Sequence, residues 1–297
     1  MIVLKKSISE KVFDILNYFF VFCILLITIY PFWNQVVISL SGGFSSYSMG
    51  MLLWPAIIST EAYELVLSYS LLWTGFRNSI IRTILGTLLS LIFTSLTAYP
   101  LSKNKLPLNS FFTKMILFTM LFNGGLIPNF LLIKNLGMLN TVWSLVLPGM
   151  IGAFNVLIMR NFFKSIPASL EESAMIDGAG YFKIFFSIIL PLSAPVIATV
   201  TLWLVVGHWN AWFDGLIFIT DRNGILLQTV LQRIIIENNT SDIQEILANI
   251  HSSERIGFTG RQLQAAILVV ATIPMIIVYP FVQKYFVKGI MIGAIKG

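Results

Sequence analysis

Six long apolar runs constrain this sequence more than any other feature. Each run is long enough to cross the hydrocarbon core of a bilayer, which takes about 20 apolar residues in a helix. The runs lack the alternation of polar and apolar residues that is typical of strands in a membrane barrel. The sequence therefore predicts an all-α integral membrane protein with six transmembrane helices, at residues 12–39, 80–99, 115–133, 141–159, 185–209 and 263–282.

Charge and composition predict how such a chain is oriented. Of the 297 residues, 57% are hydrophobic and 11% are charged. A chain of this composition is too apolar to bury its hydrophobic residues in a single soluble core. With both termini inside, 12 of the 19 Lys and Arg residues and 5 of the 13 acidic residues face the cytoplasm. Cytoplasmic loops of membrane proteins carry an excess of Lys and Arg. We therefore expect one permease-like domain over residues 1–297, with both termini and the segment 165–184 in the cytoplasm.

The first apolar run follows a basic start, as in a signal peptide. It is too long for one, and no small-residue cleavage site follows, so we predict an uncleaved first span. The net charge of +6 has its explanation in the membrane orientation and does not indicate a nucleic-acid partner.

A short polar stretch at residues 167–195 separates two of the apolar runs. Ser169 and Glu172 have the spacing of a capping box, in which the two side chains satisfy backbone amides at the start of a helix. Asp177 and Gly178 predict its end, because Gly adopts the tight left-handed backbone that a helix end needs. The stretch is predicted to be a capped helix and turn that exposes the adjacent Glu171 and Glu172.

Chemical groups for catalysis or for ion coupling are absent from the sequence. No Asp or Glu lies inside a predicted span, apart from Asp14 at the inner end of the first. Carriers driven by protons or sodium usually need an intramembrane carboxylate. There is also no G-x-x-x-x-G-K-[ST] phosphate loop. Transport would therefore be passive or would take its energy from another subunit.

Enzymatic function is disfavoured for the same kind of reason. His208 and His251 lie on separate elements, with no accompanying carboxylate pair or nucleophile motif. Cys23 is the only cysteine, which excludes an internal disulfide and a thiolate metal cluster. We predict neither a catalytic residue nor a metal site nor a cofactor held by this chain.

An ordered motif in the polar stretch resembles the EAA loop of bacterial ABC importer permeases. That loop has the pattern E-A-A, three residues, G, nine residues, I-x-L-P. Three residues separate Ala174 of Glu172-Ser173-Ala174 from Gly178, and nine residues separate Gly178 from Ile188. Ser173 replaces the middle alanine, a change from one small residue to another. Residues 124–128, 136–137 and 289–297 further resemble the branch that imports oligosaccharides from polysaccharide breakdown.

The resemblance implies a set of partners and a site. The partners are a second homologous permease, two cytoplasmic ATPase subunits that bind ATP and Mg, and an extracytoplasmic sugar-binding protein, all at the bacterial inner membrane. The polar stretch would be the coupling helix that enters a groove of an ATPase. Its expected coupling residues are Glu171, Glu172, Ser173, Ala174, Asp177, Gly178 and Ala179. Glu172 has a competing role as the capping residue of its own helix.

Prolines and glycines interrupt predicted spans three and four, at residues 123–128 and 148–152. Such breaks either line a cavity or allow helices to pack closely at small residues. Sugars are held by aromatic stacking and by amide hydrogen bonds, which makes Asn123, Asn155, Trp209, Asn210 and Trp212 candidates for the substrate path. Alternatively, the aromatic residues form an interfacial belt and the Asn residues join helices. A stand-alone carrier or channel is the competing function.

Overall fold

The computed structural model describes residues 7–42, 52–235 and 260–294, with side chains up to residue 234 in the second range and up to 280 in the third. Within these ranges the chain is helical and contains no strand, only an isolated bridge between Ser41 and Ile58. The predicted all-α fold is therefore confirmed. Residues 236–259, which include His251, lie outside the described residues.

The chain divides into two compact units, Met1–Tyr69 with Ile234–Thr272 and Ser70–Arg233 with Ile273–Gly297. The prediction of one domain over residues 1–297 stays a prediction. In the first unit, helix α1 spans Ile8–Ser39 and α2 spans Glu61–Ser68. The amide of Ser7 donates to Glu10 Oε2 over 2.8 Å, and the Ser7 hydroxyl accepts from the Glu10 amide over 3.3 Å. This capping box fixes the start of the first span.

The second unit is organised around α3, a helix of 32 residues at Ser70–Leu101. The mostly short helices that follow it are α4 Asn109–Leu121, α5 Leu126–Asn135, α6 Val142–Val146, α7 Ala153–Ser165, α8 Ala168–Ile176, α9 Tyr181–Ile184, α10 Leu190–Leu192, α11 Ala194–Asn210, α12 Phe213–Phe218, α13 Leu227–Ile235 and α14 Gly260–Ala294. A π-helical turn, Phe185–Ile189, joins α9 to α10. Helix α3 packs against α7 and α11.

Within the described residues, three helices are long and apolar enough to cross a membrane unbroken, namely α1, α3 and the Gly260–Pro280 part of α14. Two further candidates are bent pairs. Helices α4 and α5 meet at 109°, and Tyr181–Leu192 meets α11 at 81°. If each bent pair is one span, the described residues contain five, so the predicted count of six is not confirmed.

The fourth predicted span differs most from the expectation of a continuous helix. Residues 141–159 form α6 and the first half of α7, with residues 147–152 non-helical between them. Pro148 and Gly149 account for the break, because proline lacks an amide hydrogen and Gly149 has a φ of +141°. Cβ atoms built on Gly124, Gly125 and Gly149 would contact nothing within 4 Å. Close packing within the described part of this chain therefore does not explain these three glycines.

Candidate functional site

Helix α8 contains the motif of the polar stretch and starts two residues earlier than predicted. Pro167 is the N-cap and Ala168 is the first helical residue, with no side-chain cap. Ser169 therefore lies inside the helix, and the predicted capping box of Ser169 and Glu172 is wrong. The competing role of Glu172 as a capping residue is thereby removed.

The end of α8 agrees with the prediction. Gly178 has a φ of +80°, and its amide donates to the carbonyl of Met175 over 3.0 Å. The amide of Ala179 donates to the carbonyl of Ala174 over 2.9 Å. These two bonds form a Schellman motif, which stops the helix and turns the chain into α9. A side chain at position 178 would strain this turn.

Glu171 and Glu172 lie in opposite environments, although they are neighbours in sequence. Glu172 is exposed, whereas the Glu171 side chain is only 8% exposed and forms an ion pair with Lys103. The hydroxyl of Tyr99 donates to Glu171 Oε2 over 3.4 Å, and the Lys103 ammonium lies 4.6 Å from the centre of the Tyr99 ring. The expectation that both carboxylates are exposed is therefore wrong for Glu171. Successive helical residues point about 100° apart, so one neighbour faces inward and the other outward.

The inner face of α8 rests on an aromatic cluster formed by Tyr99, Phe163 and Phe185. The ring of Tyr99 lies 5.1 Å from that of Phe185 and 6.5 Å from that of Phe163, measured between centres. Ala174 and Ala179 pack against the larger apolar core that contains these three rings. The coupling helix predicted from the sequence is thus held against α3, α7 and the π-helical turn by packing as well as by an ion pair.

The outer face of α8 and the adjoining turn combine acidic groups with large apolar side chains. Glu172, Ser173 and Asp177 are exposed. Ile176 is 87% exposed and Phe182 is 75% exposed. Large apolar side chains on a polar loop, bordered by charge, are typical of a surface that binds another protein.

A second polar cluster lies in the N-terminal half of α3. Arg82 is buried and donates to Asp214 Oδ1 over 3.0 Å and to the carbonyl of Ala211 over 3.1 Å, and it also forms an ion pair with Asp214. Asn78 donates to the carbonyls of Asn223 and Ile225 over 2.7 and 2.9 Å. The chain that follows α11 is therefore anchored to α3. Arg82 therefore contacts other parts of the chain.

Helices α3 and α11 approach each other closely at Gly86. A Cβ atom at this position would lie 2.6 Å from atoms of the His208 imidazole ring. His208 therefore packs against the backbone of α3. Any larger residue at position 86 would have to displace the ring.

The candidate substrate-path residues lie in three different parts of the fold. Trp209 is buried, contacts Phe76 edge to face at 5.8 Å, and lines a cavity of about 500 Å³ between α3, α11 and α14. Asn123 accepts from the amide of Gly125 over 2.9 Å in the break between α4 and α5. Asn155 is half-buried in the first turn of α7, while Asn210 and Trp212 are exposed at the end of α11. Their role in transport stays a prediction.

Comparison with known proteins places this geometry among transport proteins. Residues 72–292 match the family described as binding-protein-dependent transport system inner membrane component. The chain is 38% identical to the polygalacturonan/rhamnogalacturonan transport system permease protein YtcP of Bacillus subtilis (strain 168), over 97% of this chain and 100% of that protein. Protein LplC of the same organism is also 38% identical, over 97% of this chain and 96% of LplC.

A solved structure has the same fold. The crystal structure of a bacterial ABC transporter involved in the import of the acidic polysaccharide alginate contains a chain that is 35% identical, with a TM-score of 0.86. The match covers 96% of this chain and 100% of that chain. The motif in the sequence, the family match and the structural match therefore all indicate a permease of an ABC importer.

Proposed function

This chain belongs to the family of binding-protein-dependent transport system inner membrane components, and from that membership we propose that it is the transmembrane subunit of an ATP-driven carbohydrate importer. The observation that carries the proposal is the placement of α8. Its inner face is anchored to the chain's own helices, while Glu172 and Ile176 on its outer face, together with Phe182 at the start of α9, are exposed to a partner. A helix held on one side and exposed on the other can transmit a force.

The partner at this face is proposed to be an ATPase subunit. The phosphate loop that binds ATP is missing from this sequence, so nucleotide and Mg²⁺ belong to the partner. Glu172 would pair with a basic side chain of the ATPase, and the exposed apolar residues would fill its groove. Two ATPase subunits, a second permease and an extracytoplasmic binding protein would complete the transporter.

The anchored face provides a route from the ATPase to the spanning helices. When the ATPase displaces α8, the ion pair between Glu171 and Lys103 carries the displacement to the end of α3. Ala174 and Ala179 transmit it to the aromatic cluster and so to α7 and the bent pair of α9 to α11. Rigid-body movement of packed helices about bends is a common form of alternating access. Residues 165–184 and both termini would then lie in the cytoplasm.

The proposed cargo is a carbohydrate, in particular an oligosaccharide from polysaccharide breakdown. The names of YtcP and of the alginate transporter support this class. Trp209 and the cavity beside it are candidates for one part of the path. Binding of a panel of neutral and acidic oligosaccharides by the partner binding protein would identify the sugar.

A stand-alone carrier is the alternative, and two observations disfavour it. The family is one of transport-system components, and no Asp or Glu lies within α3, α11 or α14 to couple transport to an ion gradient. Purification with the native neighbours distinguishes the two functions, since a stand-alone carrier would bring no ATPase.

The coupling role of α8 is tested with a Glu172→Gln variant reconstituted with all partners in liposomes. A charge-assisted hydrogen bond contributes about 1.5–3 kcal/mol, so we expect ATPase affinity and transport-coupled ATP hydrolysis to fall about tenfold. Glu61→Gln is the matched control, since Glu61 is another exposed carboxylate, in the first turn of α2. Unchanged assembly and unchanged coupled hydrolysis in Glu172→Gln would refute docking through this residue.

A further inference from the structure

A second cavity, distinct from the one beside Trp209, lies where α3 ends. Its volume is about 600 Å³ and its walls come from the last turns of α3, the loop after it, and the start of α9 with the π-helical turn. This size is within the range of about 300–1,000 Å³ found for ligand pockets. The cavity itself has no part in the proposed coupling function, although Tyr99, Lys103, Phe182 and Phe185, which line it, also belong to the coupling region.

The wall of this cavity changes from apolar to basic along its length. Leu96, Pro100 and Phe185 form the apolar part, and Lys103 and Lys105 lie at the other end. Leu96 precedes Lys103 by seven residues, which corresponds to about 10 Å along a helix at 1.5 Å per residue. The cavity therefore reaches from the membrane boundary into the depth of the predicted span at residues 80–99.

The basic end has charge available for an anion. Lys103 is already paired with Glu171, and its ammonium lies over the ring of Tyr99. Lys105 is exposed, and no carboxylate in the described ranges forms an ion pair with it. Tyr181 also lines the cavity and is exposed. Lys105 and the Tyr181 hydroxyl together offer donors to a phosphate group.

We propose that this cavity binds an anionic phospholipid of the cytoplasmic leaflet, a placement that rests on the orientation given under the proposed function. The phosphate would lie at Lys105 and near Lys103, and an acyl chain would follow Pro100 and Leu96 into the bilayer. Basic pockets between membrane helices on the cytoplasmic side recognise anionic headgroups.

Depth and polarity favour a lipid over the other possible ligands. A soluble anion would use the two lysines but would leave the apolar wall exposed to water. A cytoplasmic protein could not follow the wall to Leu96, which is 36% exposed at a depth that belongs to hydrocarbon. A phospholipid satisfies both ends of the cavity.

Such a lipid would lie beside the ion pair that holds the coupling helix. Lys103 is shared, because it contacts Glu171 on one side and lines the cavity on the other. The bound phosphate and the Glu171 carboxylate carry the same sign of charge, so the headgroup would compete with Glu171 for the Lys103 ammonium and would weaken the anchor of α8. Both the position of α8 and the lipid composition of the membrane would therefore affect the contacts of Lys103.

The experiment measures lipid retained by the full-length chain, purified with its partner subunits in mild detergent and equilibrated with equal amounts of phosphatidylglycerol and phosphatidylcholine. Native mass spectrometry counts the lipids of each class. Loss of one lysine contact of this kind weakens binding about fivefold, so Lys105→Gln is expected to retain about fivefold less phosphatidylglycerol. Lys164→Gln is the matched control, because Lys164 is exposed on α7 and does not line the cavity.

A second variant tests the apolar part independently of charge. Leu96→Trp fills the cavity and is expected to reduce retention of both lipid classes. Equal phosphatidylglycerol retention in Lys105→Gln and the unmodified chain, or an equal loss in Lys164→Gln, would overturn the proposal. Displacement of the lipid by millimolar inorganic phosphate would identify a free-phosphate site instead and would also overturn it. Because retention is measured without ATP or substrate, it can succeed or fail independently of coupled transport.

Discussion

Two neighbouring glutamates in α8 have different tasks. Glu171 points inward to Lys103 and Tyr99, whereas Glu172 faces outward. The outward residue is available to a partner, and the inward one holds the helix in position for it. A change of charge at these two adjacent positions is therefore expected to affect different properties of the transporter.

Glu171→Gln is expected to lower the free energy of unfolding by about 1–3 kcal/mol. The change leaves Lys103 without its carboxylate partner, and removal of one partner from a buried ion pair is strongly destabilising. Because Lys103 is partly exposed to solvent, the loss of stability is smaller than for a fully buried pair. Glu172→Gln is the control and should change stability by less than about 0.5 kcal/mol. Thermal unfolding of the purified complex in detergent measures both. Equal melting temperatures for the two variants would contradict the assignment of Glu171 as the anchor.

At this scale the sequence predicted that the polar stretch is a helix followed by a turn, but not which way each residue faces. The spacing of Glu172, Gly178 and Ile188 was sufficient to recognise the family. The burial of Glu171 depends on Lys103, which lies 68 residues earlier in the chain. Local patterns do not contain a contact of that separation. The start of α8 was missed for a related reason, since a Ser and a Glu at capping-box spacing also occur inside helices.

Helix α3 connects two parts of its unit, the segment after α11 and the helix α8. Its N-terminal half anchors residues 211–225 through Arg82 and Asn78, and its last turn and the loop after it anchor α8 through Tyr99 and Lys103. Between these regions α3 packs on α11, with Gly86 against His208. A long unbroken helix of this kind transmits a displacement from one end to the other.

Gly86→Ala is expected to destabilise the packing of α3 on α11 by about 1–3 kcal/mol, since overpacking forces neighbouring atoms to shift. The added Cβ would lie 2.6 Å from the His208 ring. Gly207→Ala is the matched control, because a Cβ at Gly207 contacts nothing within 4 Å. Thermal unfolding of the purified complex compares the variants.

A double variant separates contact with the imidazole ring from a general effect of alanine. If the His208 ring is the obstacle, the double variant Gly86→Ala/His208→Ala should lose less stability than the sum of the losses in the two single variants. Strict additivity in this cycle would show that the two residues do not interact.

Element types were largely predictable, whereas their continuity was not. Apolar runs of sufficient length predicted α1, α3 and α14, and the glycine and proline clusters correctly marked the breaks before α5 and α7. Bends of 109° and 81° depend on how neighbouring helices pack around a break, and a hydropathy pattern carries no such information. For this reason six runs of similar appearance correspond, in the described residues, to three unbroken helices, two bent pairs and one pair of short helices.

For the whole molecule, orientation in the membrane is the prediction with the widest consequences. The excess of Lys and Arg places residues 165–184 inside, and the segment after α11 is then outside. The proposed ATPase contact and the lipid site both depend on this arrangement.

Orientation is tested with single cysteines in a Cys23→Ser background, which removes the only native thiol. Asn223→Cys should react with a membrane-impermeant maleimide in intact cells, because Asn223 is exposed on the predicted outer side. Asp177→Cys should react only after the cells are made permeable. The reverse pattern would invert the topology and would exclude the proposed ATPase contact.

The ion pair of Glu171 with Lys103 also determines how far the coupling helix can be treated as a transferable part. Residues 167–180 look self-contained in sequence, yet their anchor is a lysine beyond the end of a different helix. A chimera that carries these residues into another permease would have the correct outer face and an unpaired carboxylate beneath it. Transplantation of the loop therefore requires transfer of two distant segments together, and an exchange of partner ATPases by loop swapping alone is expected to fail unless the host has a basic residue at the corresponding place.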